Sequence, residues 1–124
     1  MERILVVDDE PDIVHFLAEE LRRRGYAVDA AFNGEEAVRK VKSVRPHLVL
    51  LDIKMPGKDG LAILREIRHV DPVVAVIIMT AIHDEKIAEK ALQIGACGYV
   101  KKPFEFEHLS AVMTGALDRL ATGT

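Results

Sequence analysis

Cysteine, tryptophan and long apolar segments are scarce in this chain of 124 residues. It has one cysteine and no tryptophan, and aromatic residues make up 5% of it. A single cysteine excludes an intramolecular disulfide and a multi-thiolate metal cluster, which favours a reducing, cytoplasmic compartment. We expect Cys97, between Ala96 and Gly98, to be a small buried apolar residue. The apolar runs are far shorter than the roughly 20 residues of a membrane helix, and the N-terminus is strand sequence rather than a basic leader, so neither membrane association nor export is expected.

Charge of one sign does not dominate either. The net charge is −3, which argues against direct binding to nucleic acid or to an anionic membrane, because such binding relies on clustered cations. The one dense basic run, Arg22 to Arg24, lies where a helix is expected to end, and there cations favour the negative end of the dipole. Length and composition (49% hydrophobic, 30% charged) fit a single domain over residues 1–124, with a tail from about 121 that is a linker stub or a terminus.

What the chain does have is a regular alternation of strand and helix patterns. Short, unalternating apolar runs indicate strands buried on both faces, and amphipathic segments between them indicate crossover helices. With right-handed crossovers this predicts an α/β fold: a flavodoxin-like, doubly wound, five-stranded parallel sheet of order 2-1-3-4-5 with five helices, two on one face and three on the other. The predicted strands are Arg3 to Val7, Val28 to Ala31, Leu48 to Leu51, Val74 to Met79 and Gly98 to Val100.

Local signals place several helices. Ile13, Phe16, Leu17 and Leu21 form an apolar face of helix one. Asn33 with Glu36 resembles a capping box for helix two, Asp84 is the expected N-cap of helix four, and helix three is expected from about Leu61 to His69.

Reactive side chains follow the strands. Asp8 and Asp9 end the first, Asp52 the third, Thr80 the fourth, and Lys101 and Lys102 the fifth. In open α/β sheets these ends share one edge, where sites lie. Three close carboxylates repel one another, and a divalent cation resolves this. Oxygen-only ligands with room for water favour Mg²⁺, whereas Asp8 and Asp9 alone would be interpreted as helix caps.

A carboxylate beside Mg²⁺ and a lysine can attack a phosphoryl group and form an aspartyl phosphate. Asp52 is the expected nucleophile, and the loop behind it directs a main-chain carbonyl, that of Lys54, at the metal. The hydroxyl of Thr80 and the amide of Ala81 are expected to donate hydrogen bonds to phosphoryl oxygens.

Lys101 and Lys102 compete for the cationic role, because alternation in a single sequence does not decide which of them faces the pocket. Lys102, which precedes Pro103, is the preferred candidate. A cis Lys102-Pro103 bond would hold that side chain over the site, although the sequence alone does not justify expecting one.

These motifs together resemble the receiver domain of two-component response regulators, over Arg3 to about Leu120. The resemblance rests on Asp8-Asp9, on Asp52 with Met55-Pro56 and Asp59-Gly60, on Thr80-Ala81 and on the run Gly98 to Phe104. The segments around Asp52 and Thr80 look most like stand-alone receivers of the sporulation phosphorelay type and the chemotaxis type.

The resemblance implies a cytoplasmic phosphoacceptor regulator, not an enzyme acting on other substrates. A sensor histidine kinase or a histidine phosphotransfer protein would donate the phosphoryl group to Asp52. Asp9 would ligate Mg²⁺ directly and Asp8 more through water, and Lys102 would pair with the phosphoryl group. Thr80 would shift and Tyr99 swing inward, so that helix four, strand five and helix five present a changed surface to a downstream target or to an output domain in a longer chain. A monomer and a phosphorylation-linked dimer both stay open.

Two residues near the expected pocket, Ile82 and Lys54, qualify this. Ile82 is apolar where many receivers have a polar or aromatic residue, so the sequence does not predict the lifetime of the phosphorylated state, and Lys54 is placed either to hinder or to guide an attacking water. His83 falls near the pocket rim, while the other histidines are read as surface or packing residues.

Three alternatives are weighed. A haloacid-dehalogenase-type phosphatase needs its two acids two residues apart, and Asp8 and Asp9 are adjacent. A flavodoxin-like electron carrier would have its flavin phosphate repelled by that pair. A degenerate receiver that only binds proteins is disfavoured by the complete set of pocket residues.

Overall fold

The computed structural model describes residues 1–55, 57, 59–81 and 84–122. The expectations for Pro56, Ile82, His83 and the last two tail residues lie outside this part of the chain. Within it, five strands alternate with five helices. The strands are β1 (Arg3–Val7), β2 (Ala27–Ala31), β3 (Leu48–Asp52), β4 (Ala75–Ala81) and β5 (Gly98–Lys102), and the helices are α1 (Pro11–Arg23), α2 (Gly34–Val44), α3 (Gly60–Val70), α4 (Glu85–Ile94) and α5 (Phe106–Thr122).

The sheet is parallel throughout its described strands and has the order β2-β1-β3-β4-β5, as predicted. The predicted strand bounds hold to within two residues. Helix α5 continues through Thr122, so the first residues of the expected tail are helical.

The strands are buried on both faces, and alternate side chains enter two separate cores. Ile4 and Val6 of β1 pack into a core with α1 and α5, whereas Leu5 and Val7 pack into a core with α2, α3 and α4. Two helices therefore cover one face and three the other, as the sequence predicts. Residues directly after a strand inherit this alternation, which decides the side of the sheet edge on which each polar side chain lies.

Local capping follows the sequence at α2 but not at α4. The Asn33 side chain accepts a hydrogen bond from the Glu36 amide at 2.8 Å, while the Glu36 carboxylate accepts one from the Phe32 amide at 3.2 Å. Asp84 is the N-cap residue of α4, but its side chain makes no capping hydrogen bond, so that part of the expectation is wrong. Its carboxylate pairs with a lysine instead.

Two packing expectations fail near the surface. Cys97 is exposed rather than buried, because it lies in the short connection before β5, where its amide bonds to the Val76 carbonyl and its side chain is left outside the core. Phe16 lies at the margin of the apolar stripe of α1 and is 54% exposed, whereas Leu17 and Leu21 are fully buried.

The basic run at the end of α1 is partly engaged in tertiary contacts. Arg22 donates a hydrogen bond to the Val28 carbonyl at 3.0 Å, and Arg24 pairs with Glu107 at 2.7 Å and lies 4.6 Å from the centroid of the Phe106 ring. These contacts connect α1 to β2 and to the start of α5. None of the described helices combines the length and apolarity needed to cross a membrane.

Candidate phosphoryl-acceptor site

Asp52 lies at the carboxyl end of β3, where the alternation places its side chain on the same side of the sheet as Leu48 and Leu50. It is 5% exposed. One carboxylate oxygen accepts a hydrogen bond from the Lys54 amide at 3.1 Å, and the other lies 3.5 Å from the Lys102 ammonium. The central strand thus holds a carboxylate in fixed orientation at the edge of the sheet.

Burial raises the pKa of Asp52 to about 6. The hydrogen bond from the Lys54 amide and the charge of Lys102 oppose this rise, and the neighbouring Asp8 carboxylate adds to it. An ionised carboxylate with a raised pKa is more basic than an exposed one, which makes it a better nucleophile once it has lost its proton.

Asp8 follows β1 on the same side of the sheet and is fully buried. Its Oδ1 accepts a hydrogen bond from the Glu10 amide at 3.0 Å, and its Oδ2 accepts one from Lys102 at 2.9 Å. Glu10, not either aspartate, is the N-cap residue of α1, and it has no side-chain capping bond. Helix capping therefore does not account for the burial of Asp8.

Lys102 joins these two carboxylates, since its Nζ lies 2.9 Å from Asp8 and 3.5 Å from Asp52. It shares the face of Val100, which packs into the α1 and α5 core. Burial acts to lower the pKa of Lys102, but the hydrogen bond to Asp8 and the charge of Asp52 outweigh it, so the pKa is raised and the side chain stays charged. The Lys102-Pro103 peptide bond is cis.

Lys101 lies on the opposite face and does not reach the acidic side chains at the end of β1 and β3. Its Nζ pairs with Glu85 at the start of α4 at 2.7 Å. The hydrogen bond to Glu85 raises the pKa of Lys101. The structure therefore places Lys102, and not Lys101, beside Asp52.

Three carboxylates at the end of β1 are arranged closely enough to hold a metal ion. Oxygen atoms of Asp8, Asp9 and Glu10 all lie within 4.8 Å of one another, with Asp8 buried, Asp9 partly buried and Glu10 exposed. Such a set of hard oxygen donors fits a divalent cation such as Mg²⁺. Sequence reasoning found the two aspartates and missed Glu10, which has no signal beyond its adjacency.

A pocket of about 690 Å³ opens beside this cluster. Asp9, Glu10, Lys54 and Met55 contribute to its lining, and Ile87 contributes from α4. The loop after β3 and the first turns of two helices therefore surround a solvent-accessible space next to the carboxylates.

Thr80 and Tyr99 lie on the other side of the sheet edge. Thr80 follows Ile78 of the α2, α3 and α4 core by two residues and is 1% exposed, and its hydroxyl donates a long 3.5 Å contact to the Ala81 carbonyl. Tyr99 is partly buried and packs against the same core. The structure thus brings Asp8, Asp52 and Lys102 together, places Asp9 beside Asp8 in the acidic cluster, and leaves Thr80 and Tyr99 on the other side, toward α4.

Comparison with known proteins identifies the family of this doubly wound sheet, which has acidic groups and a lysine at its carboxyl edge. The family model for the response regulator receiver domain matches residues 4–114. This chain belongs to that family, whose members are signalling regulators that act as phosphoacceptor switches.

Similar proteins include both short and long chains. The sporulation initiation phosphotransferase F of Bacillus subtilis is 39% identical over 108 residues, which are 87% of each chain. The regulatory protein AtoC of Escherichia coli is 37% identical over 93% of this chain, but this chain spans only 25% of its length. A solved response regulator receiver domain protein from Clostridium thermocellum superposes with a TM-score of 0.94 at 33% identity, with full coverage of both chains.

Proposed function

We propose that Asp52 is the residue that accepts the phosphoryl group. The observation that carries this proposal is the buried Asp52 carboxylate, held by the Lys54 amide at 3.1 Å and beside Lys102 at 3.5 Å. Asp8 is the other buried carboxylate at this edge, but both of its oxygens are already hydrogen-bonded, one to an amide and one to Lys102. Asp52 is therefore the better nucleophile.

In the proposed reaction an Asp52 oxygen attacks the phosphorus atom of a phosphohistidine. The new P–O bond forms as the P–N bond breaks, and the electron pair of that bond leaves with the imidazole. Lys102 stabilises the charge that gathers on the phosphoryl oxygens, because its ammonium already lies between Asp8 and Asp52. The Thr80 hydroxyl and the Ala81 amide donate hydrogen bonds to the same oxygens.

Mg²⁺ is the cofactor we assign to the acidic cluster. Asp9 would bind it directly, together with Asp52 and the main-chain carbonyl of Lys54, and Asp8 would act more through water. Glu10 is added to this set by its place in the cluster. Bound there, Mg²⁺ would supply positive charge that offsets the negative charge of the phosphoryl group.

The donor and the target are proposed by class. A sensor histidine kinase or a histidine phosphotransfer protein would supply the phosphoryl group in the cytoplasm. Phosphorylation would draw in Thr80 and Tyr99 and change the surface of α4, β5 and α5. The output would be docking of this domain or the action of an output domain in a longer chain, without direct contact between residues 1–124 and nucleic acid and with a monomer or a phosphorylation-linked dimer as the active form.

The acceptor assignment is tested with acetyl phosphate and Mg²⁺, followed by intact-mass measurement. The wild-type protein should gain one phosphate that hydroxylamine removes, whereas Asp52→Asn should gain none. Asp118→Asn removes an exposed carboxylate from α5 and should behave as wild type. Equal labelling of the wild type and Asp52→Asn would refute the assignment, as would a wild-type protein that takes up no phosphate from any small phosphodonor.

A further inference from the structure

The first turn of α4 is engaged by two lysines that come from different parts of the sheet edge. Lys54, from the loop after β3, pairs with Asp84 at 3.0 Å, and Lys101, from β5, pairs with Glu85 at 2.7 Å. The two pairs are neighbours on one helix end. The two pairs differ in how the main chain of the lysine is connected to the proposed acceptor.

Lys54 is directly connected to the proposed acceptor, because its own amide donates a hydrogen bond to Asp52 at 3.1 Å. The backbone of Asp84 is held by hydrogen bonds at both its amide and its carbonyl group. Its amide bonds to the Ala81 carbonyl at 3.1 Å, and its carbonyl accepts the first helical bond, from the Ala88 amide, at 3.0 Å. The Lys54–Asp84 pair therefore connects the acceptor loop to the start of α4.

This pair is held by charge alone. The Asp84 Oδ2 atom is inaccessible to solvent and has no aligned hydrogen bond among the described residues, and the Lys54 side chain is 61% exposed. Loss of Lys54 would leave the buried Asp84 oxygen without a cation, which is costly unless the start of α4 moves and exposes that oxygen to water. An exchange of Lys54 to a stronger anion within reach is therefore coupled to a rearrangement at the start of α4.

Phosphorylation would place such an anion next to it. A phosphoryl group carries a charge of about −1.5 to −2 near neutral pH, compared with −1 for a carboxylate. The flexible four-carbon stem of a lysine can turn toward a group attached to Asp52, whose carboxylate already touches the Lys54 main chain. Lys102 also lies at the acceptor, but its charge is already shared between Asp8 and Asp52, so a second cation would add to its effect.

We propose that Asp84 and the phosphoryl group compete for the Lys54 ammonium, so that phosphorylation releases the start of α4 from the acceptor loop. This deepens the proposed function, on which it rests. Asp84 is then a positioning residue that holds Lys54 away from the acceptor in the unmodified protein. Linkage requires the converse as well: removing Asp84 must strengthen the binding of a phosphoryl group, and removing Lys54 must weaken it.

The test is a double-mutant cycle with beryllofluoride, a non-covalent phosphoryl mimic, titrated at fixed Mg²⁺ concentration and followed by backbone amide NMR. Asp84→Asn should tighten Kd by about two- to fivefold and Lys54→Gln should weaken it by about as much, the factor that exposed ion pairs contribute. The double variant should behave as Lys54→Gln, because Asp84 acts only through that ammonium. Lys101→Gln is the matched control and should leave Kd unchanged.

A second readout follows α4 itself. The Ala88 amide resonance should move on beryllofluoride binding in the wild type and in Lys101→Gln, and should already be displaced in unliganded Asp84→Asn. Additive effects of the two substitutions, or unchanged affinity in both single variants, would overturn the competition while leaving Asp52 as the acceptor. A wild-type protein that does not bind beryllofluoride would overturn the proposed function and the competition together.

Discussion

Replacing Asp52 by asparagine should stabilise the metal-free protein, and only where Asp52 would be ionised. Burial raises the pKa of this carboxyl from 3.8 to about 6, so the folded state holds its proton more tightly than the unfolded chain does. Stability then falls as pH rises from about 4 to about 6, because the folded state binds more protons over that range. Above the folded pKa the full penalty is present.

The magnitude follows from the size of the shift. A rise of about 2 pKa units corresponds to about 3 kcal/mol of destabilisation at pH 8. This shift already includes the attraction to Lys102, so an asparagine that keeps the shape of the protonated carboxyl should gain about 2–3 kcal/mol there. Near pH 4.5 the folded wild type is protonated at Asp52 while the unfolded chain is still largely ionised, so the gain should fall by about two-thirds, to about 1 kcal/mol.

The assay is urea unfolding of both proteins in EDTA at the two pH values. Asp118→Asn, which removes an exposed carboxylate, corrects for the change in net charge and should shift stability little at either pH. An Asp52→Asn variant that is less stable than wild type at pH 8, or whose gain is the same at both pH values, would refute the claim that burial of the charge sets this pKa.

Two further substitutions test what holds the site together. Lys102→Met should lower the free energy of unfolding by about 2–3 kcal/mol at pH 8 in urea denaturation, because it leaves the fully buried Asp8 carboxylate without its cation, and a loss below 0.5 kcal/mol would contradict the pairing. Gly60→Ala should lower the free energy of unfolding by about 3 kcal/mol or more, because the added Cβ would lie 2.1 Å from the Ile53 carbonyl oxygen. Gly98→Ala is the control: its added Cβ would lie 3.4 Å from the nearest neighbour, so it should lower the free energy of unfolding by less than about 1 kcal/mol in the same thermal or urea measurement. Equal losses in the two glycine variants would show that the clash is relieved by movement of the acceptor loop.

The sequence predicts the sheet and the edge at which polar groups meet, because both follow from strand order and from what ends each strand. It does not predict which of two adjacent lysines faces Asp52. Strands buried on both faces have no alternation of polar and apolar residues, so the sequence does not show which side chains of β5 lie on which face of the sheet. The structure shows it, because Val100 packs into the α1 and α5 core. The proline neighbour favours Lys102 in the sequence, and the packing of Val100 explains why Lys102 faces Asp52.

The two expectations that fail, a capping side chain at Asp84 and a buried Cys97, have a different cause. An aspartate just before a helix is ordinarily a cap, and the sequence holds nothing to show that Lys54, thirty places earlier in the chain, would draw the Asp84 side chain away. Cys97 has small neighbours on both sides and so resembles a buried position, yet a connection of a few residues leaves its side chain outside. In each case a tertiary contact or loop path outweighs a local preference.

The charge balance of the site explains why its parts should depend on one another. Asp8, Asp9, Glu10 and Asp52 contribute four carboxylates at the sheet edge, and Lys102 is the cation that lies among them. A phosphoryl group would add further negative charge to this excess, so its transfer to Asp52 is opposed unless positive charge is added at the same place. Among the groups that the structure describes, a divalent cation bound by the acidic cluster and a second lysine drawn from Asp84 are two sources within reach. The divalent cation and Lys54 would each bind more tightly when the phosphoryl group is present, and by linkage each would stabilise the phosphorylated state. A change in charge at the single carboxylate of Asp52 would therefore alter the contacts at the start of α4.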